Sequence, residues 1–222
     1  MKMMNNPVIL DQNNEAIIYL CKRDKKMEKV IKKIGTISYL PYEDDSYAFL
    51  VHEIIEQMLS IKAGAKIYQR LNDLCEGKIT PERVNKLTFD EIKSIGTASS
   101  KVRFIQRLTS AVINKEIDFE ILKEKSDDEV YKELTKLPGI GNWTANMYLI
   151  FVLNRQDILP YDDAAFLQAY RWLYNARKLD KNTILKKCSK WKPYSSIASR
   201  YLYEALDTGL VKTNIKNFLE EL

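Results

Sequence analysis

Metal ligands and disulfide partners are scarce in this chain of 222 residues, which holds one histidine and three cysteines. Cys21, Cys75 and Cys188 stand far apart and form no CxxC pair. A zinc site, an iron-sulfur cluster and a disulfide framework are therefore unsupported, and a reducing compartment fits. Long apolar runs are missing as well. No stretch approaches the length of a membrane span and no signal-peptide core opens the chain, so a cytoplasmic location without membrane association is expected. Six prolines and seven glycines leave no long flexible linker. Charge of one sign is not dominant either: 35 basic against 30 acidic residues give +5, which permits a polyanionic partner without demanding one. What remains is ordinary globular composition, 45% hydrophobic and 29% charged, enough for a sizeable core.

Apolar residues recur at helical spacing through nearly the whole chain, and no alternating strand pattern stands out. The expected class is all-α. The segment 14–34 carries Ile17, Leu20, Met27, Val30, Ile31 and Ile34 as one helix or two, ending at Gly35. After a turn at 41–45, with Asp45 or Ser46 as cap, the stretch 46–59 aligns Phe49, Leu50, Ile54 and Met58 on one face. A helix over 61–74 stacks Lys62, Lys66 and Arg70 at i+4 steps, either a solvated face or a phosphate-facing stripe. Thr88 to Glu91 and Ser126 to Glu129 match the S/T-x-x-E capping box and mark helix starts. Further helices are expected from Ser99 and over 163–174, 182–190, 195–207 and 215–221.

One stretch is specific. A helix over 127–136 runs into Leu137-Pro-Gly-Ile-Gly141 and resumes as a helix over 142–153. Pro138 cannot extend the first helix, Gly139 and Gly141 permit backbone angles and close approaches closed to other residues, and Ile140 anchors the turn. The N–H groups at the start of the second helix are left to face solvent, an arrangement suited to a phosphate. By themselves these features also fit a plain helix connection.

The run Leu137-Pro-Gly-Ile-Gly-Asn-Trp-Thr-Ala145 resembles the hairpin of the helix-hairpin-helix base-excision glycosylases, most closely the 3-methyladenine DNA glycosylase II branch. Leu159-Pro-Tyr-Asp-Asp163 comes where that family carries a Pro-Asp-Asp-like segment. His52 to Ala63 is similar to the segment that meets the DNA gap, with Glu56 where glycine is usual, and Trp191 to Tyr203 resembles the late helix of the base pocket. The resemblance covers about residues 21–207 in order. It implies a single unit of two helical subdomains flanking a cleft: a central bundle over 46–155 with the hairpin at 127–153, and a second subdomain from 1–45 plus 156–222.

It also implies a chemistry. A base must leave the stack before its N-glycosidic bond can be cut. Met58 is expected as the wedge that fills the hole, with Gln57 beside it, or else Met58 completes its helix's apolar face. Asp163 is expected to stabilise the oxocarbenium-like sugar, with Asp162 its rival and, otherwise, the helix cap. Gly139, Ile140, Gly141 and Thr144 are expected at the phosphate. Trp143 and Tyr203 are the stacking aromatics, with Met147 where relatives often carry another aromatic. Relatives that nick the backbone use a hairpin lysine; Trp143 stands there, and Lys136 is out of register, so a monofunctional enzyme is expected. The single histidine, His52, is read as packed or surface rather than catalytic. No metal or cofactor is expected beyond a monovalent cation on hairpin carbonyls when DNA is bound. The expected partner is duplex DNA with a damaged, alkylated base, met by a monomer at the nucleoid. Oxidised or deaminated bases, or a noncatalytic DNA-binding module, are the alternatives.

Overall fold

A computed structural model describes residues 7–40 and 46–220. In chain order the elements begin with β1 (Val8–Leu10), α1 (Glu15–Arg23), α2 (Lys25–Ile34) and β2 (Ile37–Tyr39). They continue with α3 (Ser46–Glu56), α4 (Ile61–Leu74), α5 (Pro81–Val84), α6 (Phe89–Ser94), α7 (Ser99–Ile113), α8 (Phe119–Glu124), α9 (Asp127–Thr135) and α10 (Asn142–Met147). The last four are α11 (Ala164–Tyr174), α12 (Lys181–Cys188), α13 (Ser195–Asp207) and α14 (Ile215–Glu220). The chain divides into two compact units, Met1–Pro41 with Asn154–Leu222, and Tyr42–Leu153.

The helical class read from the sequence holds, with one addition in the first unit. β1 and β2 pair antiparallel, Ile9 opposite Ser38. Three residues each are too short for an alternation to register as a strand pattern. The long segment expected over 14–34 is two helices. Asp24 adopts extended backbone and accepts hydrogen bonds from the N–H groups of Lys26 and Met27, capping α2. The core of this unit gathers Leu20, Met27, Val30, Phe166, Tyr170, Trp191 and Tyr201. Asp24 is buried within it and accepts from the Trp191 indole at 3.0 Å and from the Tyr174 hydroxyl, while Lys190 supplies a cation at 2.9 Å. Burial alone would raise the Asp24 carboxyl, but the hydrogen bonds from Tyr174, Lys190 and Trp191 and the Lys190 charge together hold it below the ordinary aspartate range.

In the second unit, Leu50, Ile54 and Ile55 of α3, Val102 and Ile105 of α7, and Val130 and Leu134 of α9 are buried. α3 packs on α4 and α7. Both capping boxes form: the carboxylate of Glu91 accepts from the Thr88 N–H at 2.7 Å and that of Glu129 from the Ser126 N–H at 3.0 Å. The cation row on α4 is exposed at Lys62, Lys66 and Arg70, but Arg70 is tied down, donating to the Ile95 carbonyl at 2.8 Å, at the end of α6. Two expectations change here. α3 stops at Glu56, so Met58 is not on its apolar face. The helix after the hairpin widens into a π-helical turn over Tyr148–Val152. The turn expected at 41–45, with Asp45 as cap, lies outside the described residues; Ser46 is already helical, and its hydroxyl accepts from the Tyr148 hydroxyl at 3.0 Å.

Candidate functional site

The first unit carries the Asp-Asp pair. The N–H of Asp163 donates to the Pro160 carbonyl at 3.0 Å, which closes a turn just before α11. The preceding loop is fastened to the start of α13: the Ser195 hydroxyl meets Asp157 at 2.5 Å, and the Ile158 N–H donates to the Ser196 hydroxyl at 2.9 Å. Asp163 is 7% exposed, and its Oδ1 accepts from the Phe166 N–H at 2.7 Å. It is therefore the N-cap of α11, a role that the sequence alone assigns to Asp162. Asp162 is exposed instead. The reason is geometric: only the residue directly before the first helical position reaches the third N–H.

The charge of Asp163 acts beyond its own helix. On α13, burial first, then the charge of Asp163 and a hydrogen bond with it, raise the Tyr203 phenol far above the ordinary tyrosine range. One turn earlier, the Arg200 guanidinium lies 3.7 Å from the centre of the Tyr39 ring. Tyr203 is half-buried. Its ring is foreseen from the sequence; the influence of the Asp163 charge on its phenol is not.

The second unit carries the hairpin and the segment resembling a wedge. Gly139 has φ +87°, and a Cβ there would fall 2.4 Å from the Phe104 ring, so no other residue fits. Gly141 differs. Its φ of −97° suits any residue, and a Cβ there would meet nothing within 4 Å. Nothing inside the protein requires a glycine at 141. Ile140 is buried, and its N–H is taken by the Leu137 carbonyl at 3.1 Å. Thr144 is 1% exposed, so neither its hydroxyl nor its main chain is presented at the surface. Trp143 is half-buried, while Met147 is buried and exposes almost no face on which a base could stack.

Met58 is 100% exposed and has φ +58°, a backbone region that non-glycine residues seldom occupy. The alternative role for Met58, completing an apolar helix face, is excluded. Leu59 and Ile61 are exposed beside it. Gln57 Nε2 donates to the Gly139 carbonyl at 2.7 Å and so joins this loop to the hairpin. Lys101, a residue the sequence does not single out, donates to the carbonyls of Ile55 at 2.8 Å and Gln57 at 2.6 Å. No sequence pattern marks a lysine whose partners are main-chain carbonyls on a distant segment. His52 lies between Glu53 and Glu56, at 3.3 Å from each, with its ring edge-on to Tyr68.

The model of the HhH-GPD superfamily of base excision DNA repair proteins matches residues 51–193. The chain belongs to this superfamily. Among its relatives is DNA-3-methyladenine glycosylase 1 of Schizosaccharomyces pombe, 29% identical over 204 residues, covering 88% of this chain and 89% of that protein. DNA-3-methyladenine glycosylase 2 of Escherichia coli is 23% identical over 174 residues, covering 74% and 59%. Among solved structures, a DNA-3-methyladenine glycosidase from Bacillus halodurans superposes with a TM-score of 0.84 at 27% identity, covering 97% of this chain and 100% of the other. The S. pombe 3-methyladenine DNA glycosylase bound to abasic DNA gives a TM-score of 0.78 at 28% identity, covering 87% and 97%. Among the described residues no helix is long and apolar enough to cross a membrane, and no group of three or more His, Cys, Asp or Glu is placed to hold a metal ion.

Proposed function

We propose that this superfamily member is a monofunctional DNA glycosylase that extrudes an alkylated base from duplex DNA and hydrolyses its N-glycosidic bond. The observation that carries the reading is Asp163: a shielded carboxylate, 7% exposed, fixed by the Phe166 N–H. Such a group is held in place before the reaction, so it can stabilise positive charge on the sugar without reorganising. Water is the nucleophile, and the product is a free base with an abasic site. A base that already carries positive charge leaves without a proton donor, which fits the absence of an assigned general acid.

The remaining roles rest on single features. The vacant space at Gly141 suits a phosphate approaching the first-turn N–H groups of α10, while the buried Thr144 supports that turn from within. The exposed Met58 suits a wedge, with Gln57 holding its loop to the hairpin. Within the unit that carries Asp163, Tyr203 supplies a ring for a flipped base; Trp143 is the half-buried aromatic of the hairpin. For a monovalent cation the hairpin offers main-chain carbonyls. Those of Leu137 and Gly139 already accept one hydrogen bond each and keep a second lone pair, so the donor set fits a weakly held ion. Such an ion would brace the turn against a phosphate.

The test is to incubate the protein with randomly methylated duplex DNA and, separately, with duplexes containing 8-oxoguanine or hypoxanthine, and to identify the free bases by chromatography. Release of 3-methyladenine or 7-methylguanine is expected. Release of only the other two bases would move the substrate class, and salt-dependent binding with no release on any substrate would leave a DNA-binding module.

A further inference from the structure

The feature the catalytic reading leaves unused is the ammonium of Lys101. It is half-buried, and among the described residues no carboxylate neutralises it. Desolvating a charge without an ion partner is unfavourable unless strong hydrogen bonds offset it. Here the acceptors are the carbonyls of Ile55 and Gln57. The former belongs to the last turn of α3, whose carbonyls have no partner within the helix. The latter belongs to the residue directly before Met58. A cation at that end also complements the helix dipole.

Lys101 and Phe104 sit three residues apart on α7 and therefore share one helix face. Lys101 grips the loop that carries Met58, and the Phe104 ring fills the space beside Gly139 in the hairpin. Gln57 closes the circuit by donating to the Gly139 carbonyl. The left-handed backbone at Met58 is thus flanked by a residue held at both its carbonyl and its side chain. A fully exposed side chain has no packing of its own to fix it, so its direction is set by this clamp on the backbone.

We propose that Lys101 is a positioning residue for base extrusion, holding the 57–60 loop so that Met58 projects and coupling that loop through α7 to the phosphate-facing hairpin. This rests on the reading of Met58 as the wedge. Lys101 touches neither base nor sugar in this scheme and acts only through the loop.

The experiment compares the wild type with Lys101→Met, Lys101→Arg, Met58→Ala and the double variant Met58→Ala/Lys101→Met. The substrate is a duplex holding one 7-methylguanine with 2-aminopurine as its 3′ neighbour. Single-turnover base release and the rise in 2-aminopurine fluorescence are read, alongside affinity for the undamaged duplex and thermal unfolding. Lys101→Met is expected to slow release about tenfold and to blunt the fluorescence rise, as the loss of a charged hydrogen bond implies, while undamaged-duplex affinity stays within about twofold because phosphate contacts are untouched. Lys101→Arg retains the donors and is expected near wild type. The decisive outcome is non-additivity: the double variant is expected no slower than Met58→Ala alone.

If Lys101→Met multiplies the defect of Met58→Ala, or leaves release unchanged, the positioning role is refuted while the wedge reading stands. If Met58→Ala itself releases base and unstacks DNA like the wild type, the wedge reading is what fails. Should Lys101→Met not fold, Lys101→Gln, too short to hold both carbonyls, must show the same non-additivity with Met58→Ala.

Discussion

The proposed chemistry gives Asp163 a second task beside capping α11, and substitution can separate the two. An asparagine keeps an oxygen for the Phe166 N–H but removes the charge. An alanine removes both. A carboxylate about 4 Å from a developing unit charge, in surroundings of effective dielectric about 20, contributes roughly 4 kcal/mol to the transition state. That corresponds to about a thousandfold in rate. Asparagine and aspartate are comparable caps, whereas alanine costs about 1–2 kcal/mol and leaves a shielded N–H unpaired. For a chain of this size that loss lowers the melting temperature by about 3–6 °C. Asp163→Asn is therefore expected to melt close to the wild type and to release alkylated base about a thousandfold more slowly, with duplex affinity retained. Asp163→Ala is expected to be equally inactive and measurably less stable, and Asp162→Asn to be active. The measurements are single-turnover base release and calorimetry on the same preparations. An active Asp163→Asn beside an inactive Asp162→Asn would refute the chemical assignment, and an Asp163→Asn as unstable as the alanine variant would refute the cap.

Three further outcomes are expected. Gly139→Ala places a Cβ in the Phe104 ring at a positive φ and is expected to destabilise by at least about 2 kcal/mol in denaturant titration, whereas Gly141→Ala, with open space and ordinary φ, is expected to unfold like the wild type yet bind duplex DNA more weakly. The hydrogen bond to Glu53, joined by the charges of Glu56 and Glu53 and opposed by burial, raises the His52 pKa above 6.5. Its contribution to stability is then complete below pH 6.5 and is lost as pH rises through the folded value; the stability gap between wild type and His52→Gln should shrink on that rise, and a gap independent of pH would refute the ion cluster. Finally, with Trp143 in the hairpin, and with Lys136 paired to Glu133 at 3.0 Å and largely exposed, borohydride is expected to trap no covalent complex with an abasic duplex, the adduct that an amine nucleophile would leave.

The parts of this molecule that arise from local chemistry were legible in the sequence. The two capping boxes, the glycine ending α2 and the hairpin at 137–141 are short-range patterns whose partners lie within a few residues. The boundaries of α4 were legible too, from the apolar spacing alone, and the structure adds the Ser60 hydroxyl as its cap. What was not legible depends on distant partners. Asp24 breaks an otherwise continuous apolar stripe because Trp191 and Tyr174, far along the chain, receive its carboxylate. The end of α3 at Glu56 and the exposure of Met58 depend on Lys101 and on Gln57 reaching Gly139. The chemical role of Asp163 was expected from the resemblance, and the capping role went to Asp162 because an Asp-Asp sequence does not say which residue opens the helix.

The widened turn at Tyr148–Val152 has a consequence for how this chain tolerates length changes. A π-helical turn is an α-helix that has absorbed one surplus residue, and each residue advances an α-helix by about 100°. Removing one residue from this turn would let the segment relax to ordinary α-helical spacing and keep Asn154 and its successors in phase. Removing one from α10 would instead rotate Trp143 and the first-turn amides away from their present direction. Insertions and deletions in this stretch are thus unequal, and those that survive should collect where the helix is already one residue too long.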